Sequence, residues 1–398
     1  MNIAEVSLVR LEGALDPAWH WAGEKDTVHP LHRFEEFRRR PDPPPGHPVP
    51  IVAYYVEIMD TDGAVGRYGP LYEEPCLIIA RRLRPLLIGR AVEPADDLWD
   101  LMFRSDRHLQ TGLGMMAISA VDNALWDLRG KAAGVPVCRL LSDTVRAQVP
   151  AYRSINDYPY EPEAMAAFAR QAMREGYRHL KWFLRHGPAG GDVGRDTDAR
   201  MVRTVREAVG QEARLMFDCF MSWDLDQARR MVPVLMEASP LWIEELFPPR
   251  RLDDVRAIHR EFPGAPLATG EHLYTRWEVK PFLDEGLLAV VQCDPDWCGG
   301  ITELVRICDL AERHGVPVVP HGHTIAAAIQ VVAARTETAC PLVEVLPRHQ
   351  VRMQWFQREP VTPHHGRVTT PTAPGLGIEW NPERITARRD VFPPDAPP

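Results

Sequence analysis

From about residue 149 onward the chain repeats one pattern eight times: a short apolar run followed by a stretch of helical periodicity. The runs fall at 149–154, 179–184, 214–218, 241–245, 266–271, 289–294, 316–321 and 342–345. Helical periods fill the gaps, for example at 161–175, 197–209, 225–237, 276–285 and 301–314. Strands of a parallel sheet are buried on both faces and read as continuous apolar runs, and alternation with helices makes right-handed βαβ units. Eight such units close into a barrel of the (β/α)₈ type. A doubly wound open sheet is the alternative. It rarely needs eight units and usually carries a glycine-rich phosphate turn, and the stretch Gly112–Met116 lacks the preceding strand such a turn requires.

The first 140 residues have a different texture. Residues 2–12 read as a strand, and residues 51–59 and 64–68 read as a hairpin around Asp60-Thr61-Asp62-Gly63. Helices are expected over 74–90, 94–108 and 115–133, the last stopped by Gly134 and Pro136. Strands followed by helices indicate a small α+β unit. The polar stretch 13–50, with Trp19-His20-Trp21 near its start, is long for a loop and reads as a lid over a binding site. The expected division is an α+β capping domain over 1–140, joined by part of the tail (366–398), and a barrel domain over 141–365. The tail from 386 is rich in proline and is expected to fray.

Charge and composition narrow the function. The 398 residues carry a net charge of −9, the opposite of the basic field a nucleic-acid binder shows. No apolar run approaches the ~20 residues of a membrane span, and the N-terminus lacks a signal-peptide pattern. Seven cysteines without a CxxC pair suggest free thiols of a reducing compartment. A cytoplasmic location without membrane or nucleic-acid partners is the expectation.

Six of the apolar runs end in a residue with catalytic chemistry: Asp218, Glu244, Glu271, Asp294, His321 and Glu344. Their successive spacings are 26, 27, 23, 27 and 23 residues, close to one βα unit of a barrel. All six then face one mouth, at the C-terminal ends of the strands. A single acid there could merely cap the next helix. Three in consecutive units repel one another and call for a cation. Oxygen donors with open positions suit Mg²⁺, whereas zinc would want more histidine or cysteine than the neighbouring His272 offers. Asp294 and His321 end adjacent units and suit a general base whose tautomer is fixed by a carboxylate. The His321-Gly322-His323 pair resembles a metal-binding HxH, but hydrolase barrels place that motif on an early strand.

The stretches 120–141, 215–222, 241–249, 269–272, 292–301 and 316–322 together resemble the enolase superfamily, mandelate racemase subgroup, and within it the acid-sugar dehydratases. The resemblance implies an α/β fold, a (β/α)₇β TIM-like barrel with an N-terminal α+β capping domain. It implies Mg²⁺ on Asp218, Glu244 and Glu271, with Glu245 behind them, and a His321–Asp294 dyad that removes the proton α to a carboxylate. Glu344 would donate a hydrogen bond to the substrate carboxylate. Substrate contacts are implied for His20, His272, Lys181 and Trp297. Many relatives carry Lys-x-Lys on the second strand, where this chain has Lys181-Trp182-Phe183; the dehydratases also lack the second lysine. After His321 the pattern diverges, and the segment to Glu344 is about three residues longer. The implied reaction is Mg²⁺-dependent dehydration of an acid sugar to a 2-keto-3-deoxy acid, by a homo-oligomer. The alternatives are a racemase or epimerase of a 2-hydroxy acid, which needs a base on each face, and a catalytically silent binding relative.

Overall fold

A computed structural model of the protein describes residues 1–15, 28–37, 49–156, 158–159 and 161–393. In the cap, β1 (Ile3–Leu15), β2 (Val49–Asp60) and β3 (Val65–Leu71) form an antiparallel sheet. Asp60 sets the β2–β3 turn, its Oδ1 accepting the N–H groups of Asp62 and Ala64, both at 2.9 Å. The expected lid, 13–50, starts within β1 and ends in β2, and most of what lies between falls outside the described residues.

The barrel uses β4 (Gln148–Ile155), β5 (His179–Phe183), β6 (Arg214–Asp218), β7 (Trp242–Glu244), β8 (Leu267–Thr269) and β9 (Val290–Val291), each parallel to the next. β10 (Val343–Val345) pairs with β4 and closes the ring. The seventh apolar run, 316–321, contributes only a bridge, Val291↔Val318. Pro317 and Pro320 flank that bridge and have no N–H to extend a ladder, so the strand position is filled without a strand. The short hairpin of β11 (Pro363–His364) and β12 (Arg367–Thr369) packs β12 against Gln148–Pro150 of β4.

The tail does not fray where expected. β13 (Ala387–Asp390) pairs antiparallel with β1, Val9 opposite Asp390, and gives the cap its fourth strand. Backbone pairing outweighs the proline content, because the prolines lie beyond the paired residues.

Side chains alternate along each strand, and this alternation builds the site. Tyr152, Met216, Trp242, Ala268, Val290, Val319 and Leu342 form one buried layer inside the barrel. Two residues further along, the same strand positions carry Ser154, Asp218, Glu244, Gly270, Gln292, His321 and Glu344.

The cap is fixed to the barrel by the helix Gly112–Ala133. It is buried along most of its length, and three of its inner polar residues, Ser119, Asp122 and Asn123, bind one barrel segment. Ser119 Oγ accepts the N–H of Gly299 at 2.9 Å, and Asn123 Oδ1 accepts that of Ile301 at 2.9 Å. Asp122 accepts both the N–H (2.9 Å) and the hydroxyl (2.6 Å) of Thr302. A side chain at Gly300 would meet Asp122 Oδ2 at 2.3 Å, so glycine is required there. These bonds hold the loop that follows Asp294. All seven cysteines are free and buried, and among the described residues no helix is long and apolar enough to cross a membrane.

Candidate active site

The mouth of the barrel holds a connected group of buried charges. Lys181 lies among carboxylates, its Nζ 2.6 Å from Glu244 Oε1, 3.0 Å from Glu344 Oε1 and 3.1 Å from Asp218 Oδ2. Glu244 is further held through Oε2 by Trp242 Nε1 (2.8 Å) and Gln292 Nε2 (2.7 Å). Burial and the nearby Asp218 push the Glu244 carboxyl up to about 8, against the pull of Lys181. Burial likewise raises Asp218, and it lifts Glu271 to about 7 against the attraction of His321.

Glu271 breaks the strand alternation. Gly270 has φ 144°, and a Cβ on it would lie 2.6 Å from the Gln292 nitrogen, so the chain can pass close to β9 and turn the next side chain into the mouth. There Glu271 Oε2 is 3.4 Å from His321 Nε2, and Oε1 is 3.2 Å from His272 Nδ1.

His321 and Asp294 form the expected dyad, Nδ1 to Oδ2 at 2.7 Å. Burial alone would lower His321, but Glu271 and the Asp294 hydrogen bond hold it well above the usual imidazole range. Asp294 is itself held by the N–H groups of Asp296 (2.6 Å) and His323 (3.1 Å). A second pair runs alongside, His323 Nδ1 to Asp296 Oδ2 at 2.8 Å. The Trp297 ring stands among three histidines, with centroids 5.0 Å from His321, 5.2 Å from His323 and 5.4 Å from His272.

Of the residues singled out in sequence, Lys181, Asp218, Glu244, Glu271, His272, Asp294, Trp297, His321 and Glu344 are all drawn into this group. His20 lies outside the described residues. Glu344 arrives in an unexpected hydrogen-bonding state. It accepts from Ser154 Oγ, Lys181 Nζ and the Gly322 N–H. Burial would raise it, yet Lys181 and His321 outweigh burial and bring it down to about 2. Its two oxygens are thus shared among three donors from different elements. Sequence reasoning passed over Ser154, Trp242, Gln292 and Asp296. Ser154 and Gln292 follow from counting two positions beyond Tyr152 and Val290; nothing in the sequence singled out the Trp242 ring nitrogen.

The donor set fits a hard divalent cation. Asp218, Glu244 and Glu271 offer oxygen only, and all three carboxyls are raised by burial, a strain that a cation relieves. Among the described residues, the group whose ligand atoms all lie within 4.8 Å of one another is Glu245, Glu271 and His272. His272, however, is raised to about 9: burial would lower it, but its bond to Glu245 Oε1 at 3.1 Å reverses that. A protonated imidazole has no lone pair for a metal, so His272 reads as the counter-charge of Glu245.

This fold and this arrangement define a family, and the chain belongs to it: the enolase superfamily. Residues 164–384 match the enolase C-terminal domain-like family, and residues 55–142 match the mandelate racemase/muconate lactonizing enzyme N-terminal domain. The chain is 34% identical over 335 residues to an L-rhamnonate dehydratase of Saccharopolyspora erythraea, covering 82% of this chain and 83% of that protein. The crystal structure of rhamnonate dehydratase from Gibberella zeae complexed with Mg superposes with a TM-score of 0.83 at 26% identity, over 96% of this chain and 95% of that one. A racemase from Streptomyces coelicolor with bound magnesium gives 0.77 at 25% identity, over 96% and 98% of the two chains.

Proposed function

We propose that the protein is a Mg²⁺-dependent acid-sugar dehydratase, a hydro-lyase that converts an aldonate-type acid into its 2-keto-3-deoxy product. The observation that carries this reading is the one-sidedness of the mouth. The His321–Asp294 dyad faces the carboxylate group from one side, while the inward position at the end of β5 is the apolar ring of Phe183. Asp218, Glu244 and Glu271 would hold the cation. When bound, Mg²⁺ would polarise the substrate carboxylate and share the charge of Glu271 that otherwise holds a proton on His321.

The chain's own residues do the rest. Asp294 accepts from Nδ1 and so directs Nε2 of His321 towards the substrate. Nε2 takes the proton from C2. The same imidazolium then protonates the departing 3-hydroxyl, which leaves as water, and the enol product tautomerises to the ketone. Lys181 keeps Glu344 ionised in a buried site. An epimerase would need a second base opposite His321, and Phe183 cannot serve.

A panel of acid sugars incubated with Mg²⁺ and assayed for 2-keto acid tests the proposal. Product from at least one aldonate or aldarate is expected; C2-epimerised starting material without any 2-keto acid would overturn it.

A further inference from the structure

The chemistry above uses only the first histidine of His321-Gly322-His323. The second is 7% exposed and has an acid of its own, Nδ1 to Asp296 Oδ2 at 2.8 Å. An ionised carboxylate only accepts, so Nδ1 carries the proton. The other ring nitrogen has the Tyr72 hydroxyl of the cap 3.5 Å away.

What this second pair encloses is Asp294. The N–H of Asp296 bonds Asp294 Oδ1 at 2.6 Å, and the N–H of His323 bonds Oδ2 at 3.1 Å. These two N–H groups come from different loops, one after β9 and one after the seventh apolar run. The Asp296–His323 bond joins the two loops and closes a ring of hydrogen bonds, with the carboxylate that orients His321 as its third corner. The cap grips the ring from outside. Asn123 Nδ2 donates to Pro295 O at 3.0 Å. Tyr68 of β3, fully buried, donates its hydroxyl to Asp296 Oδ1, and Thr324 Oγ1 donates to the same oxygen at 3.1 Å. Asp296 is thereby held through both oxygens, one from the cap and one from His323.

We propose that His323 and Tyr68 are positioning residues: the His323–Asp296 bond is a clasp that sets the orientation of Asp294, and through it the direction of His321 Nε2, and the Tyr68 hydroxyl completes the clasp when the cap is seated. The clasp works through the Nδ1 donor of His323 and not through Nε2. Its effect on turnover rests on the dehydratase reading; its effect on the Asp294–His321 bond does not.

The test compares His323→Asn, whose amide nitrogen replaces Nδ1, with His323→Gln, whose amide reaches the Nε2 position instead. Both are studied with Mg²⁺, and circular dichroism checks that the fold is native. His323→Gln should lower kcat about 10–10²-fold, the scale of a misplaced catalytic group, with KM little changed. His323→Asn should recover most of that loss. Tyr68→Phe removes one hydroxyl and keeps the ring, and it should also lower kcat without raising KM; it carries the test if His323→Gln does not fold. A readout independent of turnover is the downfield imidazole N–H proton of His321 in ¹⁵N-histidine-labelled protein, assigned by its absence in His321→Asn. That resonance should persist in the wild type and in His323→Asn and exchange away or shift in His323→Gln and Tyr68→Phe. Equal loss of kcat in the Asn and Gln variants would make Nε2 the working atom and overturn the clasp. So would a rise in KM with kcat intact, or an unchanged resonance in His323→Gln and Tyr68→Phe. If the wild type turns over no acid sugar, the dehydratase reading fails, and the His321 resonance alone then supports or overturns the clasp.

Discussion

Lys181 Nζ sits 2.6 Å from Glu244 Oε1 deep in the barrel, and both side chains are 1% exposed. The lysine starts from the level of Met216 in register, one layer below the mouth, and its length carries the charge up to the acids. Burial would lower its ammonium, but Glu244 and Glu344 hold it well above the usual lysine range. The pair ties the closing strand to the middle of the sheet, because Lys181 bonds β7 through Glu244 and β10 through Glu344.

Removing this charge leaves buried carboxylates uncompensated. Lys181→Met should destabilise the chelator-treated protein by about 3–5 kcal/mol, the usual cost of breaking a buried pair from one side. Mg²⁺ should restore a large part of that loss, since a divalent cation offsets the same acids. Chemical denaturation with and without Mg²⁺ reads both numbers; an equal loss in the two conditions would contradict the shared role.

The acid ligands give a more direct prediction. Glu244→Gln should lower turnover at least ~10²–10³-fold, the scale of losing one preorganised electrostatic contact, while circular dichroism stays that of the native fold. A chelator should remove wild-type activity, and Mg²⁺ should return it. Wild-type turnover in the variant would sink the assignment of Glu244.

The cap–barrel junction carries a pH dependence of its own. Burial pushes the Asp122 carboxyl up to about 7, against the two hydrogen bonds from Thr302. In the unfolded chain the same group titrates near pH 4. Between those values the folded protein holds more protons than the unfolded chain, so this contribution is fully present below about pH 4 and is lost as pH rises through 7. The loss is on the order of 3–4 kcal/mol for a shift of this size. Asp122→Asn cannot ionise, so its stability should fall less steeply with pH than that of the wild type between 4 and 7. Parallel pH profiles of the two proteins would contradict the assignment.

Much of the fold was readable because its signals are local. Buried parallel strands write themselves as apolar runs, and the catalytic residues follow at intervals of one βα unit. Three features were not readable from single segments. The seventh run looked like a strand until its two prolines were set against a ladder that needs their N–H groups. The tail looked frayed because its partner, β1, lies almost the whole chain away. The three partners of Glu344 come from β4, β5 and the loop after the seventh run, and only the closed barrel brings them together.

The central claim is that one base serves the reaction. His321 has Asp294 at 2.7 Å, and no side chain described on β5 supplies an opposing base, since Phe183 is apolar and Lys181 is committed to three carboxylates. The deciding measurement is NMR of the C2 hydrogen during incubation of His321→Asn with substrate and Mg²⁺ in D₂O. The account predicts no 2-keto acid and no deuterium at C2, because the base that would exchange it is gone. Continued deuterium uptake at C2 in that variant would reveal a second base and contradict the account in favour of an epimerase.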